Sequence, residues 1–173
     1  MTLTIERAQT HERLLVERLL QLHLYEGGAE PGPDGVIDWG EPLDKFFSDR
    51  SCVPLLFRED GKLVGFALAK LNRKPPGPDG KTAVSTHFIE EFFVLRGHRR
   101  KGLGTRAVEL LFGRFPGRWM TTTWPGGTAD RFWRSAVMGR HGARGREYGP
   151  GEHQGFPGQY VWVVEPMIEG DRQ

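Results

Sequence analysis

The segment HFIEEFFVLRGHRRKGLGTRAVELLF, residues 87–112, constrains this chain more than any other. An aromatic and apolar run ends at Leu95, a turn carrying Gly97, Gly102 and Gly104 follows, and a helical pattern then begins, with Leu103, Ala107, Leu110 and Leu111 on one face. Strand, glycine turn and helix in that order are a building block of layered α/β folds. Arg96, Arg99, Arg100, Lys101 and Arg106 crowd the turn, and no acid lies between residues 96 and 106. Such a turn is suited to an anion. The first N–H groups of a helix point outward with the positive end of its dipole. Glycines let the backbone approach oxygens closely, and arginines add charge-assisted hydrogen bonds.

The rest of the chain supplies the layers. LTIERA (3–8) alternates as a short strand. THERLLVERLLQLHLYE (10–26) reads as an amphipathic helix with Thr10 as N-cap and Leu15, Leu19 and Leu22 at helical spacing beside Val16 and Leu20. The loop AEPGPDGVIDWG is longer than a simple connector, as functional loops often are. PLDKFFSDR (42–50) predicts a short helix with Pro42 in its first turn, and residues 52–73 a hairpin across Asp60-Gly61. Strand 87–95, the helix from Gly102, a β-prone stretch 118–124, a helix 128–140 and a last strand 159–165 complete the order β-α-α-β-β-β-α-β-α-β. A single mixed α/β domain over residues 1–173 is expected.

Composition narrows the function classes. No run of eighteen apolar residues exists, so no membrane helix is expected. A lone cysteine, Cys52, excludes an intramolecular disulfide and a cysteine-based zinc cluster; no metal site is expected. Glu6, Arg7 and Glu12 stand where a signal peptide needs an apolar core, and cytoplasmic residence is the expectation. The net charge of +2 conceals an asymmetry: residues 26–49 hold seven acids against Lys45 alone, opposite in sign to the turn at 96–106. A nucleic-acid binder would carry one broadly basic face. The separated signs suggest an anionic ligand in one place and a cationic one in another.

Three phosphate ligands suit a glycine-rich helix start. A P-loop needs lysine followed by Ser or Thr after its last glycine, and here Gly104 precedes Thr105-Arg106. GLGTRA (102–107) satisfies the dinucleotide pattern literally, but RFPGRWMTTTWPGG downstream offers no acid for the ribose. The third is coenzyme A. Arg99-Arg100-Lys101-Gly102-Leu103-Gly104 resembles the R/Q-x-x-G-x-G/A signature of the GNAT acyltransferases. Val94 stands five residues ahead of Arg99, where that family has a strand residue aligning the pantetheine arm, and ADRFW resembles the start of its late helix. A solvated basic loop accounts for the charges but not for this spacing.

The resemblance, which covers nearly the whole chain, implies a GNAT fold: a mixed, mostly antiparallel sheet of six or seven strands flanked by about four helices. It implies acetyl-CoA as cofactor, held by Phe93, Val94, Arg99, Arg100, Lys101, Gly102, Leu103, Gly104 and Thr105, with Trp133 at the place of the family's late tyrosine. An indole can donate a hydrogen bond but cannot act as a general acid at neutral pH. The family's asparagine is replaced by Gly126. The acceptor amine must lose a proton before attack, and relatives place a base four or six residues ahead of the valine, here Glu90 or Phe88. Glu90 is favoured as catalytic base; a bulge would transfer the role to Glu91.

In the family the first helices and their loop line the acceptor side. Asp38, Trp39 and Glu41 with Trp124 are therefore expected to meet a small, cationic, hydroxyl-bearing amine. The block EEFFVLRGHRRKGLG with ADRFWR resembles a bacterial subgroup linked to 2′-N-acetylation of the aminoglycoside kasugamycin. A protein or peptide amine, a polyamine, and an acyl-CoA-sensing module without catalysis are the alternatives, and a homodimer is compatible with the family.

Overall fold

A computed structural model describes residues 1–141 and 144–165 of the chain. The seven strands are β1 (Leu3–Arg7), β2 (Cys52–Glu59), β3 (Lys62–Arg73), β4 (Thr86–Val94), β5 (Trp119–Thr123), β6 (Gly145–Tyr148) and β7 (Tyr160–Val164). They form one sheet in the order β1-β2-β3-β4-β5-β7-β6. The helices are α1 (Arg13–Glu26), α2 (Lys45–Ser48), α3 (Leu103–Arg114) and α4 (Ala129–Trp133), the last continuing as a π turn over Arg134–Met138 and a final turn over Gly139–His141. This is the mixed, mostly antiparallel α/β architecture expected, at the upper strand count. No helix is long and apolar enough to cross a membrane among the described residues.

The chain forms two compact units, Met1–Ala69 with Glu91–Ala107, and Lys70–Glu90 with the residues from Val108 onward. In the first, β1 runs antiparallel to β2 from Leu3↔Glu59 to Arg7↔Leu55. The β2–β3 hairpin turns through Asp60 and Gly61, both at positive φ (48° and 79°), as a tight two-residue turn demands. A core of Val16, Leu19 and Leu20 from α1, Phe46 from α2, and Leu56, Phe66, Leu68 and Phe93 from the strands closes this unit. Each such side chain withdrawn from water contributes about 1.5–3 kcal/mol.

Here the sequence expectations need adjustment. The buried stripe of α1 is Val16, Leu19 and Leu20, while Leu22 is half exposed. Gln9, not Thr10, stands at the N-cap of a 3₁₀ turn that precedes α1, and the Glu12 carboxylate accepts its N–H at 2.9 Å. The helix expected over 42–50 shrinks to Lys45–Ser48, because Asp49 turns extended (ψ 122°).

In the second unit β4 and β5 are parallel over His87↔Trp119 to Ile89↔Thr121, and β4 then runs on to Val94. β7 pairs antiparallel with β5 and with β6. Strand β6 was absent from the sequence expectation; its four residues, GREY, are too short and too polar to read as a strand alone. Met120, Val161 and Val163 form a cluster with Phe88, Tyr148 and Phe156. On α3, Leu103, Ala107, Val108 and Leu111 are buried, whereas Leu110, expected on that face, is exposed.

Candidate active site

The site is built where β4 ends and α3 begins, within the first unit. Beyond Val94 the backbone makes a short 3₁₀ turn over Arg96–His98 and enters a loop with two left-handed residues, Arg100 (φ 64°) and Gly102 (φ 73°). A left-handed residue followed by a right-handed helix start curls successive N–H groups toward one concavity. The first amide of α3 bonded back to the chain is that of Arg106, which donates to Gly102 O at 3.1 Å. The amides of Leu103, Gly104 and Thr105 before it have no hydrogen-bond partner among the described residues. Three free donors therefore open a helix of twelve residues.

The five cations of the turn divide into two groups. Arg106 donates to Met1 O at 3.2 Å and approaches Glu59 at 3.5 Å, so it ties α3 to the β1–β2 edge. Arg99 donates from Nε to Val94 O at 2.7 Å, pairs with Glu26 at 2.6 Å, and lies 5.1 Å above the Phe93 ring. Arg99 thus sets the shape of the loop. Arg96, Arg100 and Lys101 have no acidic partner among the described residues; Lys101 donates only to Gly97 O at 3.3 Å. Three cations without an acidic partner beside three free amides make a local anion-favouring arrangement. Of the other residues expected to hold coenzyme A, Phe93 and Leu103 bury their side chains and offer only backbone.

The two glutamates of β4 have different surroundings. Glu90, in the second unit, pairs with Lys70 of β3 at 2.7 Å. Glu91, in the first, receives Trp39 Nε1–H on Oε1 at 2.7 Å and faces His23 Nε2 with Oε2, also at 2.7 Å. Glu91 and Phe93 both meet His23, as residues two apart on a strand should, while Phe92 packs on Phe57. The His23 ring is held at 5.1 Å from Phe93 and 6.2 Å from Phe66.

His23 was not singled out in the sequence, although a signal for it exists. It falls at i+7 from Val16, on the buried stripe of α1 with Leu19 and Leu20, where an apolar residue would ordinarily stand. Nothing local, however, names its partner 68 residues away.

The loop between α1 and α2 is pinned over this cluster. Gln21 of α1 accepts Ile37 N–H at 2.8 Å and donates to Ile37 O at 3.0 Å, and two residues later Trp39 reaches Glu91. Trp39 also leans on Phe46 at 5.7 Å, so its indole anchors the loop as well as bonding Glu91. Asp38 accepts Gly40 N–H at 2.7 Å, and Glu41 pairs with Lys45 at 2.7 Å. In the second unit Trp124 is 68% exposed, while Trp133 is buried and set edge-to-face against Phe132 at 5.0 Å.

Comparison with known proteins agrees with this geometry. Residues 16–134 match the Acetyltransferase (GNAT) family. The fold is similar to an acetyltransferase from Thermus thermophilus, at 18% identity over 96% of this chain and 98% of that one, with a TM-score of 0.66. It is similar to nearly the same degree to the aminoglycoside acetyltransferase AAC(6')-Ib in complex with coenzyme A, at 18% identity over 99% and 100% of the two chains and a TM-score of 0.64. The same enzyme with coenzyme A and kanamycin gives 17% identity, coverage of 99% and 100%, and a TM-score of 0.64. No curated protein sequence matches the chain significantly. With the matched region spanning well over half its length, the chain belongs to the GNAT acetyltransferase family.

Proposed function

We propose that the protein transfers an acetyl group from acetyl-CoA directly to an amine of a small cationic acceptor, an aminoglycoside such as kasugamycin being the best candidate. The observation that carries this reading is the opening of α3, where the free amides of Leu103, Gly104 and Thr105 adjoin Arg96, Arg100 and Lys101. Acetyl-CoA supplies the activated thioester. The residues of the chain bind it, orient it and manage protons. The amides and cations of the turn hold phosphate, and the end of β4 at Phe93 and Val94 leads into that turn, beside the path of the remainder of the cofactor.

An alkyl ammonium, with a pKa of about 10, has no lone pair for attack, so a proton acceptor must stand nearby. The Glu91–His23 pair suits that task better than Glu90, whose carboxylate is paired with the Lys70 ammonium. Glu30, Asp34 and Asp38 in the loop before Trp39 favour a cationic acceptor over an anionic one. Acetylation removes a positive charge and blocks a donor, which would disarm a drug that grips RNA through its amines. The similarity in fold to an aminoglycoside acetyltransferase supports this substrate class.

Thiol release from acetyl-CoA, measured with a panel of aminoglycosides, diamines and peptides, tests the proposal. Release with kasugamycin but not with peptides is expected. Release with peptides alone would move the acceptor to a protein amine. No release with any amine, while acetyl-CoA still binds, would favour an acyl-CoA sensor.

A further inference from the structure

We infer that His23 takes up the acceptor's proton, with Glu91 and Trp39 as the residues that position it. This rests on the acetyl-transfer reading, and it assigns to an imidazole the role that the sequence pattern gave to a β4 glutamate.

The assignment follows from which atoms are already committed. An indole N–H can only donate, so Trp39 fixes Glu91 Oε1 as an acceptor at 2.7 Å. The other oxygen faces His23 Nε2 at 2.7 Å, a length typical of a charge-assisted bond. An ionised carboxylate only accepts, so the proton between them belongs to Nε2, a tautomer assigned from the bonding pattern. The lone pair of a neutral His23 then lies on Nδ1. That nitrogen has no hydrogen-bond partner among the described residues, and it is not one of the buried, unsatisfied nitrogens of the fold. The His23 side chain is 28% exposed against 19% for Glu91. The imidazole therefore presents an open acceptor while its carboxylate partner is engaged on both oxygens. Phe93 and Phe66 hold the ring in place.

Glu91 on β4 is bonded to the ring; Glu26 stands three positions along α1, and Arg99, in the loop after β4, lies over the Phe93 ring that packs on His23. Glu26 and Arg99 pair with each other at 2.6 Å, which leaves Glu91 to balance an imidazolium. A carboxylate that orients an imidazole and stabilises its charged form is an established catalytic arrangement. In the proposed step the acceptor ammonium gives one proton to His23 Nδ1. Its nitrogen then bonds to the acetyl carbon as the C–S bond breaks with its electron pair on sulfur. The second amine proton goes to that thiolate, and His23 later releases its own to solvent. The products are an amide, a thiol and one proton.

The test uses the full chain and an amine found active with the wild type. His23→Gln should lower kcat by roughly 10²–10⁴-fold, the span of general-base catalysis, with the KM for acetyl-CoA nearly unchanged. Its kcat/KM profile should lack the acidic limb that general-base catalysis would give the wild type, and added imidazole should restore turnover to His23→Ala. Glu91→Gln should keep the acidic limb and lose less turnover than His23→Gln. Nitrogen-15 NMR of the neutral imidazole should show the Nε2–H tautomer, a readout independent of activity. The inference is overturned if His23→Gln stays within tenfold of wild type, if Glu91→Gln rather than His23→Gln loses the acidic limb, or if the Nδ1–H tautomer is found. A wild type that releases no thiol with any amine would sink the acetyl-transfer reading instead. Equal melting temperatures and calorimetric acetyl-CoA binding would show that the variants are folded.

Discussion

Arg99 and Gly104 show how residues within one motif divide their tasks. Arg99 ties Val94 O to Glu26, so its loss should be felt as looseness in the loop as well as missing charge. The ion pair is over a third exposed on both sides, which discounts it, and the bond to Val94 O carries most of the effect. Arg99→Ala should lower stability by about 1 kcal/mol. For a chain of this size that is roughly 2–4 °C in melting temperature, readable by calorimetry. Gly104→Asp acts differently, because it sets a carboxylate beside amides proposed to meet phosphate. Acetyl-CoA binding, followed by titration calorimetry, should be abolished while the melting temperature stays close to that of wild type. Gly102 has a third role: at φ 73° a side chain is strained even though nothing stands within 4 Å of its Cβ position. Gly102→Ala should destabilise by about 1–2 kcal/mol.

At the scale of elements, two loops are held by local devices. Gln21 secures the α1–α2 loop through both backbone groups of Ile37, and Trp39 depends on that register to reach Glu91. Gln21→Ala should leave global stability within about 1–2 kcal/mol while freeing the loop. Faster hydrogen exchange at Ile37 and a change in Trp39 fluorescence would report it. The loop after β3 turns on Asp79, which accepts from the Thr82 hydroxyl at 2.5 Å, from Thr82 N–H and from Lys81 N–H. Those bonds, the hydroxyl first, hold its carboxyl down at about 2. A depressed carboxylate stabilises the turn at pH values above its unfolded pKa of 3.8, and this contribution is lost as pH falls from there toward about 2. Protection of Thr82 N–H from exchange should accordingly persist to pH 4 and fade below it, and Asp79→Asn should remove that dependence.

For the whole molecule, acid sensitivity should begin earlier than carboxylates alone would set. His153 is 1% exposed, and its pKa is lowered first by desolvation and then by the charge of Arg118. The folded chain thus holds it neutral where the unfolded chain protonates it. Stability from this group is complete above the unfolded value of about 6.5 and declines as pH falls below that. Denaturant midpoints at pH 7.5 and 5.5 should differ, and His153→Gln should narrow the difference. Much of the architecture was legible beforehand. The Asp60-Gly61 turn, the β4–turn–α3 unit and the last strand rest on periodicity and turn chemistry within a few residues. The short β6 was not legible, because Gly145–Tyr148 becomes a strand only by pairing with β7. In the site, Gly102, Gly104 and their cations could be read from adjacent letters. Which cations are neutralised, that Trp39 anchors the loop, and that His23 meets Glu91 depend on side chains tens of residues apart. The sequence by itself determined the glycine-opened helix start with its free amides, since amide direction and glycine conformation are local properties of the backbone. Only the tertiary structure decided where a proton can go, because hydrogen-bond partners are chosen by packing between distant elements.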